Sequence, residues 1–469
     1  MRNSEEKKSG LRSVKKAAGI LVKVVCTILA FVMVGSLLNY MTTPAASYTR
    51  IQFHDLYTKY GEDGENMDMV FLGTSHAYRA FDPRVFDEVL GINSYNMGTS
   101  QQTISSSYYV LKEVLKTNHP EKVVFELTYT CFRDKDHLPL KNVIISQYMK
   151  PSFNKLAYIL HEFDLEDIFY AILPAYTFRE KMNADNLASI LGRKSTAEYK
   201  NYDIETTRTR NEWMESKGYV YTNKSLSANH AGRMNPEPFE EDVLNQEFLE
   251  YFDKMVELCR EEGVEFVCVT APIPKGALLE LENYDEVCDF LNELTAKHGV
   301  PYYNFNLIKE EWLPLDNSNF FDSTHINGET SKDFSRLVAQ IFAEEDAGTL
   351  DRNKYFYRDW EEAKPHIDYV ANAFMTVEED DYQYTVTGHA TSGVEGAQYE
   401  YSYWLYEIGA EEESQMIRDW STDATFTFPK DFQEGSWRLM VAARFAGSDM
   451  TMQDAQRDVV IFPYVPEEE

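Results

Sequence analysis

The feature that most constrains the fold is an alternation of five short apolar runs with longer segments whose apolar residues recur at helical spacing. "MDMVFLG" reads as a strand, "PRVFDEVLG" as a short helix, "INSYNMG" as a short strand or turn, "TISSSYYVLKEVLKTN" as a helix and "EKVVFELTY" as a strand. The rhythm resumes with a helix over "NQEFLEYFDKMVELCREEG", the strand "VEFVCVTAP", a helix over "YDEVCDFLNELTAKHG", the strand "PYYNFN" and a closing helix over "GETSKDFSRLVAQIFAEE". Strands alternating with helices predict an α/β domain, a parallel sheet with helices on both faces. Residues 131–242 break the rhythm with aromatic, mixed-charge pieces such as "FNKLAYILHEFDLEDIFYAIL", which read as a helical insertion. An insertion after a parallel strand lies near the edge where open α/β sheets bind ligands, so it is a candidate lid. A decorating subdomain remote from any site fits the same residues.

The two ends of the chain differ from this middle. Residues 19–41, "GILVKVVCTILAFVMVGSLLNYM", approach the ~20 residues that a helix needs to cross a bilayer core. Lys23 is the only charge in the run, and Arg2, Lys7, Lys8, Arg12, Lys15 and Lys16 precede it. Basic residues favour the cytoplasmic side, which predicts a single-pass membrane protein with residues 1–18 inside and the rest extracytoplasmic. A cleaved signal peptide is the alternative, with "TPAAS" supplying small residues, but the apolar run is long for one. Residues 42–65 then form a juxtamembrane segment and 66–346 the α/β domain. Residues 347–374 read as a linker helix. From Met375 to the end, short alternating runs such as "YQYTVTGHA", "QYEYSYWLYEIG", "ATFTFP" and "SWRLMVAARFAG" predict a small antiparallel β-sandwich.

The formal net charge of −32 opposes binding to nucleic acid phosphate. Cys26 lies in the apolar run, and Cys131, Cys259, Cys268 and Cys288 lack metal-ligand spacing. Cys268 falls in a strand pattern, as a small buried hydrophobe would. No phosphate loop, dinucleotide fingerprint or paired-cysteine site appears, so no cofactor and no metal are expected.

Three stretches carry candidate chemistry. In "MVFLGTSHAYRAFDP" the apolar strand stops at Gly73, which allows a sharp turn that lifts Ser75 clear of the strand end. In "NFFDSTHING" Asp322 and His325 are three apart, so the carboxylate can orient one imidazole nitrogen while the other faces outward. In "YNMGTSQQT" the backbone N–H of Gly98, with that of Ser75, is a candidate oxyanion hole. Alone, each is equally an ordinary turn, a capped loop with a surface histidine, or a turn glycine. Together, a serine after the first strand and an Asp–His pair after the last converge on one sheet edge and point to a triad. His76, next to the serine, cannot easily turn onto its neighbour's hydroxyl and reads as site-lining or structural, as does Thr74. Glu126, at the end of the third strand, either lines the pocket or serves a salt bridge.

"FLGTSHAYRAFDP", "NMG" and "DSTHIN" resemble the SGNH/GDSL hydrolase superfamily over roughly residues 66–345. Within it the chain is similar to membrane-anchored proteins of envelope acylation, namely the D-alanyl transfer protein of teichoic acid operons and exopolysaccharide O-acetyl transfer proteins. The tail resembles immunoglobulin-like or triple-tyrosine-type modules, which implies a spacing or binding role. The resemblance implies a flavodoxin-like three-layer domain and acyl transfer or ester hydrolysis through an acyl-serine. Ser75 would be the nucleophile, His325 the base and acid, Asp322 its orienting partner, and the Ser75 and Gly98 N–H groups the oxyanion donors. It also implies an envelope glycan or teichoic acid substrate and a membrane-bound O-acyltransferase partner. A tethered carbohydrate esterase and a non-catalytic scaffold or binding protein are the alternatives. Two departures stand out: Thr74 replaces the usual Asp, and no G-x-N-D block is present, the strand end reading "FELTYT". The Asn donor of that block is thus unassigned, with Asn96 and Thr128 as candidates.

Overall fold

A computed structural model describes residues 2–61, 64–133, 139–179, 182–407, 414–432 and 435–463. Parts of the expected juxtamembrane segment (62–63), insertion (134–138 and 180–181) and C-terminal domain (408–413, 433–434 and 464–469) lie outside the described residues. The chain divides into two compact units, Met1–Ile51 with Asp136–Thr207, and Gln52–Lys135 with Arg208–Glu469.

The first unit is helical. A helix over Arg2–Thr42 contains the stretch Ala18–Thr42, long and apolar enough to cross a membrane, as a span or as a signal sequence. Five further α-helices, Pro139–Ser146, Phe153–Glu162, Ile168–Ile172, Ala184–Ser195 and Ala197–Lys200, lie in this unit, and the helix Tyr48–Thr58 begins in it. The helix Ala184–Ser195 is tied to the end of the long helix by polar contacts. Lys194 Nζ donates to the Tyr40 carbonyl and, at 3.0 Å, to Thr43 Oγ1. The Arg50 guanidinium lies between the rings of Tyr199 and Tyr202, 3.7 and 3.8 Å from their centroids, an arrangement favoured by the ring quadrupole.

In the second unit the strands run, in chain order, β1 (Met69–Leu72), β2 (Ser94–Asn96), β3 (Lys122–Glu126), β4 (Glu212–Ser216), β5 (Tyr219–Thr222), β6 (Glu265–Thr270) and β7 (Tyr302–Asn304). Five of them form one parallel sheet in the order β2-β1-β3-β6-β7, which are the five runs read from the sequence. This is the flavodoxin-like doubly wound order, in which the chain reverses direction across the sheet between β1 and β3. Side chains alternate between faces as a strand requires. Met69, Phe71, Val124, Val267 and Val269 join a core with Phe334, Val338 and Phe342 of the helix Gly328–Asp346. On the other face Phe125 meets Phe266, which packs on Phe252 of the helix Gln246–Glu262.

The segment 131–242, expected to be one helical insertion, is two things. Asp136–Thr207 belongs to the helical unit, and the part after it contains the antiparallel hairpin β4–β5, which no helical reading anticipated. The cause is the turn Lys217–Gly218, where both residues have positive φ (48° and 81°), the combination that a two-residue hairpin turn demands. The Lys217 carbonyl accepts the Asn96 N–H at 2.9 Å, so the turn reaches the outer edge of β2. Glu212 pairs with Arg79 (2.7 Å), Glu215 with Arg84 (3.0 Å) and Lys217 with Asp87.

The C-terminal strands are β8 (Asn372–Glu379), β9 (Gln383–Thr391), β10 (Tyr399–Glu407), β11 (Gln415–Ser421), β12 (Thr425–Pro429), β13 (Trp437–Phe445) and β14 (Gln456–Phe462). They form two antiparallel sheets, β11-β10-β13-β14 and β12-β9-β8, around one core that includes Val386, Tyr403, Val441 and Trp437 stacked on Phe462. The expected linker helix over 347–374 is instead two short helices, Arg352–Tyr355 and Trp360–Ala363, and the start of β8. Tyr355 is fully buried in the α/β core and Trp360 packs edge-on to Tyr284, which is why the segment does not run on as a free helix.

A Cβ on Gly218 would lie 1.8 Å from the Asn96 carbonyl oxygen. Gly218→Ala is therefore expected to cost roughly 1–3 kcal/mol of stability, read as a lower thermal unfolding midpoint of the detergent-solubilised full chain.

Candidate active site

The site is built on the turn after β1. Gly73 has φ of +131°, and a Cβ there would sit 3.0 Å from Glu126 Cβ and 3.3 Å from Ala77 Cβ, so glycine alone lets the chain turn this tightly against β3. Gln102 Oε1 accepts the Gly73 N–H at 3.2 Å, and the Gly73 carbonyl accepts the Thr99 N–H at 3.2 Å. Thr74 caps the short helix Ser75–Ala80 through its hydroxyl, which accepts the His76 N–H at 3.3 Å. Ser75 is the first residue of that helix and is half-buried.

The other half of the site lies between β7 and the helix Gly328–Asp346. There Phe321 N–H donates to the His325 carbonyl at 2.7 Å and closes a tight loop. His325 Nε2 is 2.7 Å from Ser75 Oγ, and His325 Nδ1 is 2.9 and 3.0 Å from the two oxygens of Asp322. Asp322 Oδ1 also accepts the N–H groups of Thr324 and His325, both at 2.9 Å, and the Thr324 hydroxyl at 3.2 Å. Burial alone would raise the Asp322 pKa, but the hydrogen bond and charge of His325, with those two backbone N–H groups, outweigh it and hold the carboxyl well below its usual range. Asp322 is therefore a carboxylate at neutral pH, and it fixes Nδ1–H as the donor and Nε2 as the acceptor facing Ser75.

His76 stacks on His325, with ring centroids 4.4 Å apart and planes 25° apart. It buttresses the imidazole and takes no part in the serine's hydrogen bond. Phe321 approaches the His325 ring at 6.4 Å, and the Arg79 guanidinium lies 4.5 Å from the Phe321 centroid while paired to Glu212. The hairpin β4–β5 thus reaches the histidine through two side chains.

The expected oxyanion donors fare differently. The Gly98 N–H already donates to Asn96 Oδ1 at 3.0 Å. A Cβ on Gly98 would lie 3.0 Å from Ala77 Cβ and 3.2 Å from the Gly73 oxygen, so this glycine serves close packing under the turn. Asn96 is fully buried, and its Nδ2 donates to the carbonyls of Ala77 and Phe81 at 2.9 and 3.1 Å. Asn96 therefore anchors the Ser75 helix and has no donor to spare. Thr128 pairs with the Thr130 hydroxyl at 2.7 Å, and Glu126 is fully buried beneath Gly73 and does not line an open pocket. Among the proposed donors the Ser75 N–H, at the helix start, has no hydrogen bond among the described residues.

Two supporting residues escaped the sequence reading. Gln102 joins Gly73 to Met97 and Thr99, and Gln52 Nε2 donates to the carbonyls of Asn96 and Gly98 at 3.0 and 2.8 Å. Both act by holding backbone. Their only trace in the sequence is polar character in segments that prove to be buried.

No protein-family model and no curated protein matches this chain. Among solved structures, a candidate acylhydrolase from Bacteroides fragilis matches with 11% identity and a TM-score of 0.29, over 63% of this chain and 93% of that one. A GDSL-like lipase from Bacteroides thetaiotaomicron matches with 12% identity and a TM-score of 0.30, over 65% and 99%.

Because the Asp322 pKa is depressed on folding, its pairing stabilises the fold above the ordinary carboxylate value and is lost as pH falls through the folded value. The stability difference between the wild type and Asp322→Asn should therefore be present at about pH 5 and shrink as pH falls below about 3.8, the ordinary value. Denaturant unfolding of both chains across that range checks it.

Proposed function

We propose that this chain is an extracytoplasmic, membrane-anchored acyl-transfer or ester-hydrolysis enzyme that works through an acyl-Ser75 intermediate. The observation that carries the reading is the chain of hydrogen bonds from Ser75 Oγ through His325 to Asp322. In the first step Ser75 Oγ attacks the acyl carbon as its proton passes to His325 Nε2, and the Ser75 N–H meets the developing oxyanion. The imidazolium, balanced by Asp322, then returns the proton to the departing alkoxide, which leaves acyl-Ser75. In the second step His325 takes a proton from water or from a sugar hydroxyl. That oxygen attacks the acyl carbon, and Ser75 leaves and is reprotonated.

The acceptor in this reading is a cell-envelope glycan or teichoic acid and the acyl group is of O-acetyl or D-alanyl type. An anchored enzyme favours transfer, with a membrane-bound O-acyltransferase as donor-side partner and the two C-terminal sheets as an immunoglobulin-like spacer or binding module. A tethered carbohydrate esterase would share the first step. One observation favours a non-catalytic binding role instead: Gly98 N–H and Asn96 are committed within the fold, and a missing oxyanion donor costs about 3 kcal/mol of transition-state stabilisation.

The experiment is labelling of the detergent-solubilised chain by a fluorophosphonate probe, which needs an activated serine. Labelling is expected in the wild type and is expected to vanish in Ser75→Ala and fall by two or more orders of magnitude, ~10²–10⁴, in His325→Ala. A folded wild type that takes no label would favour the binding role, and a Ser75→Ala variant that labels fully would overturn the acyl-Ser75 mechanism.

A further inference from the structure

We propose that the apolar faces of the helices Phe153–Glu162 and Ile168–Ile172 dip into the bilayer beside the span, in the half nearest Thr42, so that the chain meets lipid through a second, non-spanning surface. This rests on reading Ala18–Thr42 as a membrane span, which the test below checks separately.

Along the span the large apolar side chains are exposed. Near its end, Gly35 and Asn39 are half-covered, and they share one helix face a turn apart. What covers them is the stretch after the helix Ile168–Ile172. Leu173 Cδ1 lies 3.5 Å from where a Gly35 Cβ would be, and the Ala175 N–H donates to Asn39 Oδ1 at 2.8 Å. Gly35 lies about seven residues in from Thr42, ~10 Å along the helix axis. Leu173 is held at that depth, and the chain on either side of it is held close to it.

The neighbouring surface has the matching chemistry. Ile172 is 59% exposed and Phe169 is also open, and the turn before them exposes Leu165 between Asp164 and Glu166, carboxylates that belong at the headgroup level. The helix Phe153–Glu162, packed on Ile168–Ile172, adds Phe153 (92%), Leu156 and Leu160, which share one face at helical spacing. Large apolar side chains exposed together on two packed helices are rarely left to water. The Arg179 guanidinium lies 4.0 Å from the Tyr176 ring centroid, the pairing of amphipathic ring and cation that suits the headgroup level. Because Leu173 and Ala175 seat these helices directly on the apolar span, their occupant is the acyl chains of the same bilayer, and the apolar faces behave as an interfacial, monotopic element.

The test uses the full chain in phosphatidylcholine liposomes in a Cys26→Ser background, the other four cysteines being buried. Single Phe169→Cys and Leu156→Cys sites carry an environment-sensitive NBD probe, with Ile28→Cys as the reference within the span and Val394→Cys as an aqueous control. Nitroxide-bearing lipids are expected to quench Phe169 and Leu156 about as strongly as Ile28, while Val394 keeps its emission. Quenching of Ile28 without Phe169 and Leu156 would overturn the proposal and leave the surface to a protein partner. If Ile28 also escaped quenching, the span reading would fail and the proposal with it.

Discussion

The hydrogen bond between Ser75 and His325 joins residues 250 apart in sequence, and it forms because a parallel sheet sends the ends of its strands to one edge. Ser75 follows β1 and the Asp322–His325 loop follows β7, so both halves of the site are delivered by the same architectural fact. The delivery is exact only because the chain turns at once after Leu72. Gly73 makes that turn possible by admitting β3 to 3.0 Å of where a side chain would begin. Beneath it, Asn96, Gln102 and Gln52 spend their hydrogen bonds on backbone groups, so that the short helix bearing Ser75 is held from below. Strain, burial and polar satisfaction all converge on that turn.

Much of this was legible in the residues themselves. The five strands and the helices between them follow from apolar periodicity, which is strong where both faces of a sheet are covered. That Ser75, Asp322 and His325 come together could be read because the serine follows the first strand of the sheet at a glycine turn and the Asp–His pair lies between its last strand and last helix. The oxyanion donors could not, because whether Gly98 N–H is open depends on the rotamer of Asn96, a contact that no spacing encodes. The hairpin at Lys217–Gly218 was hidden by aromatic residues that equally suit a helix, and positive φ at Lys217 has no sequence marker of its own. The boundary at 347–374 was missed for a related reason: Tyr355 and Trp360 bury into a core formed by residues far away in the chain, and a local pattern of charges and aromatics cannot show that.

The electrostatics of the site are simple. A carboxylate held ionised by three N–H groups faces one imidazole nitrogen, and the serine hydroxyl faces the other. The stacked ring of His76 and the Arg79–Glu212 pair behind Phe321 restrict the imidazole's motion without adding a competing partner for Nε2. Such preorganisation matters more than the number of groups, because orientation paid during folding need not be paid during reaction. The net charge of −32 does not enter at this range, since exposed charges beyond roughly 8–10 Å are screened at physiological salt.

The proposed chemistry requires that Ser75 become covalently acylated. Mass spectrometry of the Ser75 peptide, after acid quench of the chain with an activated acetyl ester, tests it most directly. An acetyl group localised to Ser75 that accumulates in the wild type and is absent from His325→Ala is the predicted result. Turnover of the ester with no modification of Ser75, or with the acetyl group on another residue, would contradict the account.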